Sequence, residues 1–317
     1  MNLILVLLIS FILSIFYSFF FRKVYARLQA RKGPLLIVPK EVRKTLGFSR
    51  ILQPFYDFLK LYYKEALIPK TANRKLFKSA PYITLGSIIL SILFIPTSGL
   101  SFFASYSFSL IVIIYLLLIP SLSIAIGGYS SSSPWGAIGS HREVELMLIY
   151  EFVQVLAIFS VAIVANSFSI IDIIEFQKNH IPFIILNPFA AVAFLFVIVG
   201  KLRIKPFDIA DASVEVVAGP ETEYSGRLLG ILELGKILLI FIYTTLFVDL
   251  FLINGINYYP QILFIFKSLL LVFILALINA INPRYRLDQA FKWYLKYQFP
   301  IAIIAILWSY FIKLILF

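Results

Sequence analysis

The sequence contains no cysteine. This absence excludes disulfides, cysteine-ligated zinc, iron–sulfur clusters and a thiol nucleophile from the chain itself. Only two histidines are present, His141 and His180, which argues against a histidine-rich metal or haem site. We therefore expect no metal and no cofactor in this chain. If it takes part in redox chemistry, the redox centres lie on partner proteins.

Charged residues are also scarce, at 14% of the 317 residues, against about 25% in an average soluble domain. Hydrophobic residues make up 61% and aromatic residues 17% of the chain. This composition excludes a soluble enzyme, a disordered protein and a secreted disulfide scaffold. The apolar runs are continuous, whereas those of a membrane β-barrel alternate. We predict an all-α integral membrane protein in which residues 1–317 form a single membrane domain.

Eight apolar segments approach the length of about 20 residues that a transmembrane helix needs. The predicted segments are 2–21, 81–96, 108–127, 144–165, 183–200, 228–252, 262–282 and 297–316. The first segment runs directly into Arg22 and Lys23 without a small-residue cleavage site. We therefore expect a retained membrane anchor there rather than a signal peptide.

The basic residues are divided unequally between the two sides of the predicted bundle. Of the 28 Lys and Arg residues, 15 lie within 22–80 and nine more lie in or beside the other loops on that side. Only Lys178 and Lys313 lie on the opposite side. Because basic loops stay in the cytoplasm, we expect a multi-pass protein of the cell membrane with both termini outside.

The first cytoplasmic loop, 22–80, carries 15 basic and only three acidic residues. Two interpretations are open: attraction to anionic lipid headgroups, or a docking surface for a soluble partner. Nucleic acid binding is not expected, because no binding motif accompanies the charge. Within the loop, residues 50–66 predict an amphipathic helix in the membrane interface. Its polar face comprises Gln53, Asp57, Lys60 and Lys64.

Acidic residues occur in and beside the predicted transmembrane helices, where charge costs at least about 2.5–3.5 kcal/mol and tends to mark ion paths. In the fourth helix, Glu143 and Glu151 lie about 80° apart on one face, whereas Glu145 points elsewhere. The alternative for Glu143 and Glu145 is a solvated helix end. In the sixth helix, Glu233 lies three residues before Lys236, so the two side chains can simply pair.

The loop 201–227 holds five acidic residues beside four basic ones. If this loop is helical, Asp208, Asp211 and Glu215 share one face, and Gly219-Pro220 ends the helix. One interpretation is a solvated loop of mixed charge. The other joins these acids to the intramembrane acid of the fourth helix in one proton path, because clustered buried carboxylates raise one another's pKa.

Three stretches together resemble the membrane subunit of respiratory complex I that adjoins the quinone cavity, and its relatives in energy-converting membrane-bound hydrogenases. They are QARKGP (29–34) followed by LQPFYDFLKLYYKE (52–65), then REVELMLIYE (142–151), then KPFDIADASVEVVAGPETEYSG (205–226). The resemblance implies a membrane-anchor and coupling subunit that holds no redox centre. It also implies three partners: the lipid membrane, antiporter-like membrane subunits, and a peripheral redox arm with iron–sulfur clusters and a nickel–iron site.

The resemblance further implies roles for individual residues. In the family, the first and third cytoplasmic loops contact the redox arm, and acidic residues link that arm to the antiporter-like subunits. The positions that match the family's acids are Glu151, Asp208, Asp211, Glu215 and Glu223. With the pattern-based candidates, the predicted proton path comprises Glu143, Glu145, Glu151, Asp208, Asp211, Glu215, Glu221, Glu223 and Glu233. The predicted arm contacts are Arg31, Gln53, Asp57, Lys60 and Lys64.

Two departures from the complex I pattern favour the energy-converting hydrogenase branch. Ser213 stands where the pattern has an acid, and Glu221, after Gly219-Pro220, stands where it is usually uncharged. The first hypothesis is therefore a subunit of a ferredoxin-oxidising, ion-translocating nickel–iron hydrogenase. The equivalent subunit of a sulfur-reducing or quinone-reducing complex is an alternative. A stand-alone secondary transporter is an alternative of another class, although no internal repeat is present.

Overall fold

The computed structural model describes residues 3–34, 51–97, 102–212, 215–252 and 260–316. Regular structure in these ranges is helical. The helices are α1 (Leu3–Leu28), α2 (Gln53–Tyr63), α3 (Arg74–Phe94), α4 (Ser109–Ser130), α5 (Pro134–Ala165), α6 (Ile170–Asn179), α7 (Phe183–Leu186), α8 (Pro188–Lys201), α9 (Gly226–Phe251), α10 (Pro260–Ile281), α11 (Leu287–Trp293) and α12 (Phe299–Leu316). A π-helical turn, Tyr294–Gln298, joins α11 to α12.

Seven helical segments of the described chain are long and apolar enough to cross a membrane: α1, α3, α4, α5, α9, α10 and the continuous α11–α12. The predicted segment 183–200 is instead broken into α7 and α8. Asn187 ends α7 and accepts a hydrogen bond from the Ala190 amide, and Pro188 then starts α8. The 14 residues of α8 reach only about 21 Å. The prediction of an all-α integral membrane protein is confirmed, with the eighth crossing shorter than expected.

Hydrogen bonds between helix ends define the two faces of the bundle. At one face, the Asn73 amide donates to the Ser130 carbonyl at 2.9 Å. At the other, the Leu110 amide donates to the Phe168 carbonyl at 3.1 Å. We call the first of these the basic face, because it carries the loops rich in Lys and Arg. The helix order therefore places the loop 202–225 on the basic face.

The helices that carry the candidate acids lie inside the bundle. The most apolar windows of α9 and α5 are 72% and 67% buried, whereas those of α10 and of α11–α12 are 33% and 28% buried. The exposed apolar side chains of α10 and α12 suit contact with lipid or with partner subunits. Acids on α5 and α9 are therefore held away from lipid by the protein itself.

The amphipathic helix predicted within 50–66 is confirmed as α2. It begins beside Pro54, packs across α9 and reaches α1, where the Phe55 and Phe11 rings meet edge to face at 6.0 Å. The helices α1 and α3 extend into the predicted loop 22–80 from both ends, which shortens it to 29–73. Residues 35–50 of that loop lie outside the described residues.

The conditional helix through Asp208, Asp211 and Glu215 is wrong for the described residues 202–212 and 215–225. This segment consists of turns and bends with one 3₁₀ turn, Gly219–Glu221. Its three acids bind three different arginines, so they diverge instead of sharing one face. Ser213 lies outside the described residues.

The loop 202–225 is seated tightly against α4 and α5. Gly219 has a φ of +54°, and its Cα would lie 2.5 Å from a Cβ placed on Gly139 of α5. The ring of Tyr224 stacks on Phe77 of α3 at 4.1 Å, and its hydroxyl donates to the Phe77 carbonyl. Small residues and one buried tyrosine thereby fix the loop at the mouth of the bundle.

Candidate functional site

Arg203, in the turn after α8, is the centre of a buried ion network. Its Nη1 donates to both carboxylate oxygens of Asp211, at 2.8 and 2.9 Å, and lies 3.3 Å from Glu221 Oε1. Its Nε lies 3.2 Å from Glu143 Oε2 on α5. Arg203 has a φ of +50°, a left-handed conformation that costs about 1–2 kcal/mol. Three converging carboxylates hold the residue in it.

Lys236 on α9 is the second cation of the network. Its Nζ lies 2.6 Å from Glu221 Oε2, 3.1 Å from Glu233 Oε1 and 3.8 Å from Asp211 Oδ2. The expected Glu233–Lys236 pair therefore forms, but the lysine also serves the loop acids. We call this set the loop network; it comprises Glu143, Arg203, Asp211, Glu221, Glu233 and Lys236. Because four carboxylates share two cations, the network favours holding a proton.

The two carboxylates shared by both cations differ in pKa. Burial raises the pKa of Glu221; Lys236 opposes this and the charge of Asp211 adds to it, so the net pKa is raised. Burial also raises the pKa of Asp211, but the charges of Arg203 and Lys236 outweigh it, so its net pKa is lowered. Neighbouring acids pushed apart in this way take separate roles. Asp211 suits a fixed anion, and Glu221 suits the site that holds a proton.

A second ion pair lies within the transmembrane helices. Lys201, the last residue of α8, donates to Glu151 on α5, and also to the Leu117 carbonyl of α4 at 3.2 Å. The Lys201 and Glu151 side chains are only 1% and 10% exposed. A buried lysine that holds its charge requires such a partner, because its desolvation is costly. We call Glu151 and Lys201 the intramembrane pair.

Tyr150 joins the loop network to the intramembrane pair. The Lys201 ammonium lies 5.1 Å from the centre of the Tyr150 ring. The Tyr150 hydroxyl donates to Glu143 Oε1 at 3.4 Å. One buried side chain therefore touches both sets, which makes the contacts continuous from the loop 202–225 into the membrane-spanning part.

A cavity of about 230 Å³ opens between the two sets of charges. Apolar side chains of α4 and α9 form part of its wall. Its charged lining consists of Glu143, Lys201, Arg203, Asp211 and Lys236. A polar space of this size has room for several water molecules, each with charged partners. Protons can therefore pass between the loop network and the intramembrane pair through hydrogen-bonded water.

The remaining proton-path candidates lie outside the loop network. Asp208 pairs with Arg284, and Glu145 lies 3.1 Å from His141 one turn away. Burial raises the pKa of Asp208, and the Arg284 hydrogen bond offsets part of that rise. Glu215 pairs with Arg142 at 2.6 Å and its side chain is 52% exposed, while Glu223 is half-buried. The predicted acids therefore form one buried cluster with satellites, rather than a single file.

The predicted arm-contact residues lie on or near α2 and the basic face. Arg31, Lys60 and Lys64 are exposed. Asp57 pairs with Arg22 at 3.0 Å. Gln53 starts α2 and is half-buried. These positions leave the basic side chains accessible to a partner.

Sequence reasoning missed three residues of the site: Lys201, Arg203 and Tyr150. The two cations counted only toward the charge of the basic loops, and Tyr150 was one aromatic residue in an apolar helix. Their signal was present in part, because Lys201 ends a strongly apolar segment and Tyr150 precedes Glu151. Among the described residues, no group of three or more His, Asp or Glu side chains could hold a metal ion.

The family profile of NADH dehydrogenase matches residues 1–310 of this chain. A membrane-complex relative, one of the subunits of the NADH-quinone oxidoreductase of Syntrophotalea carbinolica, is 32% identical over 302 residues. These residues cover 90% of this chain and 87% of that relative. NADH-ubiquinone oxidoreductase chain 1 of Mycosarcoma maydis is 32% identical over 317 residues, which cover 95% of this chain and 92% of that relative.

A solved structure with the same fold adds to these sequence relatives. A chain of the membrane-bound sulfane sulfur reductase, an archaeal respiratory membrane complex, matches with a TM-score of 0.85 and 28% identity. The match covers 97% of this chain and 98% of that chain. The resemblance drawn from the three motifs is confirmed over nearly the whole length. The chain therefore belongs to the NADH dehydrogenase family, as a membrane subunit of a multi-subunit oxidoreductase.

Proposed function

We propose that this chain is the membrane-anchor and coupling subunit of a ferredoxin-oxidising, ion-translocating complex of the cell membrane. The observation that carries the proposal is the Tyr150 bridge, which makes the buried charges continuous from the loop 202–225 to Glu151. In this proposal the basic face lies in the cytoplasm, both termini lie outside, and the redox arm docks near Arg31 and Lys60. The arm holds the iron–sulfur and nickel–iron centres, and antiporter-like subunits lie beside the bundle.

Coupling at a distance needs an element with two arrangements that both sites bias. Arg203 supplies that element in our proposal, because its guanidinium serves three carboxylates at once. When a redox change in the arm lets Glu221 take up a proton, Arg203 shifts toward Asp211 and Glu143. Glu143 then competes less for the Tyr150 hydroxyl. The changed field at Lys201 alters the proton affinity of Glu151, which passes the change to the pumping subunits.

Two observations support the energy-converting branch over the quinone-reducing one. Glu221 stands where the complex I pattern is usually uncharged, and here its carboxylate binds both cations of the loop network. A nickel–iron hydrogenase, with protons as the acceptor, is the first candidate. Sulfane sulfur is the second candidate, because the structural match is to an archaeal sulfane sulfur reductase. The equivalent subunit of a quinone-reducing complex and a stand-alone secondary transporter are the alternatives that experiment must separate.

Affinity purification of this chain in mild detergent, followed by mass spectrometry, tests the assignment. We expect antiporter-like membrane subunits together with a large subunit that carries two Cys-x-x-Cys pairs for nickel and iron. The same partners with an incomplete set of those cysteines would identify the sulfur-reducing candidate. Quinone reduction by the purified complex would favour the quinone-reducing alternative. A chain that purifies alone would contradict the coupling-subunit proposal and favour the transporter.

The pH dependence of ion translocation tests the role of Glu221. In our proposal this carboxyl takes up and releases the coupled proton, so the pH profile follows its pKa. Asp211→Asn removes a nearby negative charge, lowers that pKa and shifts the profile to lower pH. Lys236→Gln removes a positive charge, raises the pKa and shifts the profile to higher pH.

The measurement is proton uptake by proteoliposomes at a series of pH values. Redox activity of the soluble arm, assayed over the same pH range, is the control. Shifts in opposite directions support Glu221 as the titrating group. If both variants pump with the wild-type profile, another group must carry the proton.

A further inference from the structure

A second cavity, of about 530 Å³, lies at the corner where the end of α2 meets the starts of α3 and α9. It is on the basic face and separate from the loop network. Its walls come from three parts of the chain, 63–68, 78–82 and 227–228. The family motifs and the coupling path leave this corner without a role.

Three basic side chains line the cavity: Lys64, Lys78 and Arg227. All three are exposed, and none forms an ion pair with a carboxylate in the described part of the chain. Of the described residues in the lining, one is acidic, Glu65. Three cations facing one space with one acid repel each other, and a bound anion relieves that repulsion.

The cavity is held in shape by the backbone around it. Gly226 has a φ of +52°, and a Cβ on it would lie 2.1 Å from the Glu65 carbonyl oxygen. The Leu67 amide donates to the Ser225 hydroxyl at 2.9 Å. The Arg227 guanidinium lies 5.2 Å from the centre of the Tyr62 ring. The cations are therefore brought together by contacts between distant parts of the sequence.

The position of the cavity is that of a lipid headgroup. Arg227 is the second residue of the transmembrane helix α9, and Lys78 lies in the second turn of α3. Tyr63 and Tyr82 are 83% and 53% exposed at the same level. Exposed tyrosines with basic side chains at helix ends are typical of the membrane–water interface.

A groove continues from the cavity along α3 toward the membrane interior. Lys78, Tyr82, Gly86 and Leu90 follow one another at four-residue spacing, so they lie on one face of the helix. A Cβ on Gly86 would meet nothing within 4 Å, and Leu90 is 50% exposed. From Lys78 to Leu90 this face runs about 18 Å. That length suits an acyl chain.

We propose that this corner binds one anionic phospholipid, with its phosphate between Lys64, Lys78 and Arg227. Arginine binds phosphate oxygens in pairs, and the two lysines add point charges. One acyl chain of the lipid lies along Tyr82, Gly86 and Leu90. Lys64 thereby belongs to the lipid site, while Arg31 and Lys60 stay on the surface for the redox arm.

Lipid titration of the delipidated complex that contains this chain tests the proposal. Phosphatidylglycerol and phosphatidylcholine with identical acyl chains are added in detergent, and bound lipids are counted by native mass spectrometry. We expect one tightly bound phosphatidylglycerol that phosphatidylcholine does not replace. The triple variant Lys64→Gln, Lys78→Gln, Arg227→Gln should bind it about 100-fold more weakly. Equal binding of the two lipids, or an unchanged triple variant, would overturn the proposal.

Two further arms separate the lipid from other phosphates and from general charge. The control variant Arg286→Gln, Lys292→Gln, Lys296→Gln removes three exposed cations elsewhere on the basic face and should bind the lipid as wild type. Gly86→Leu should weaken phosphatidylglycerol binding by filling the groove. Glycerol phosphate, which has no acyl chain, should fail to compete. If it competes as well as the lipid, the corner binds a soluble phosphate and the lipid proposal is wrong.

Discussion

Replacing Arg203 with Gln is expected to lower the stability of the protein by about 3–5 kcal/mol. The substitution leaves Glu143, Asp211 and Glu221 buried without the cation that they share. Removing one partner of a buried ion pair costs more than the pair contributes, because the remaining charge has lost both water and partner. Thermal unfolding of the purified complex, and the amount of assembled complex in membranes, measure the effect.

Arg142→Gln is the matched control for this experiment. Arg142 also binds an acid of the loop 202–225, but its partner Glu215 is 52% exposed. Ion pairs of that kind contribute about 0–1 kcal/mol, so this variant should assemble nearly as wild type. Equal loss of stability in the two variants would show that the Arg203 cluster is no more important than a surface pair.

The second large effect concerns the intramembrane pair. Lys201→Met and Glu151→Gln should each destabilise the protein, by about 3–5 kcal/mol where a buried charge is left alone. The double variant Glu151→Leu, Lys201→Met replaces both charges by apolar side chains of similar size. Its stability should return close to that of wild type, since such replacements of buried pairs are often neutral or stabilising.

Ion translocation should not return in the double variant, because no group is left there to exchange a proton. Proton uptake by proteoliposomes, together with thermal unfolding of the same preparation, separates the two roles. If the double variant regains both stability and translocation, the pair is a structural element only.

The sequence was informative wherever one segment determines its own structure. Apolar runs of sufficient length located the transmembrane helices, and the 100° rotation per residue separated the buried Glu143 and Glu151 from Glu145. The break in the fifth predicted segment has a local cause as well, since Asn187 and Pro188 end one helix and start another. Such features need only nearest neighbours along the chain.

The site depends on contacts between residues far apart in sequence, which periodicity does not register. A helix through Asp208, Asp211 and Glu215 was reasonable from their spacing. In the structure, Arg284, Arg203 and Arg142 come from three different places and draw the acids apart. Tyr150 gained its bridging position only when the turn after α8 folded against α5.

The number of protons translocated per electron tests the central claim most directly. It is measured on the complex reconstituted in liposomes, with Glu151→Gln compared with Glu145→Gln. We expect Glu151→Gln to lower translocation by about 100-fold, as when a proton-transfer group is lost, while the redox activity of the soluble arm is retained. Glu145→Gln, on the other side of the same helix, should change neither. Unchanged translocation in Glu151→Gln would contradict a coupling path through the intramembrane pair.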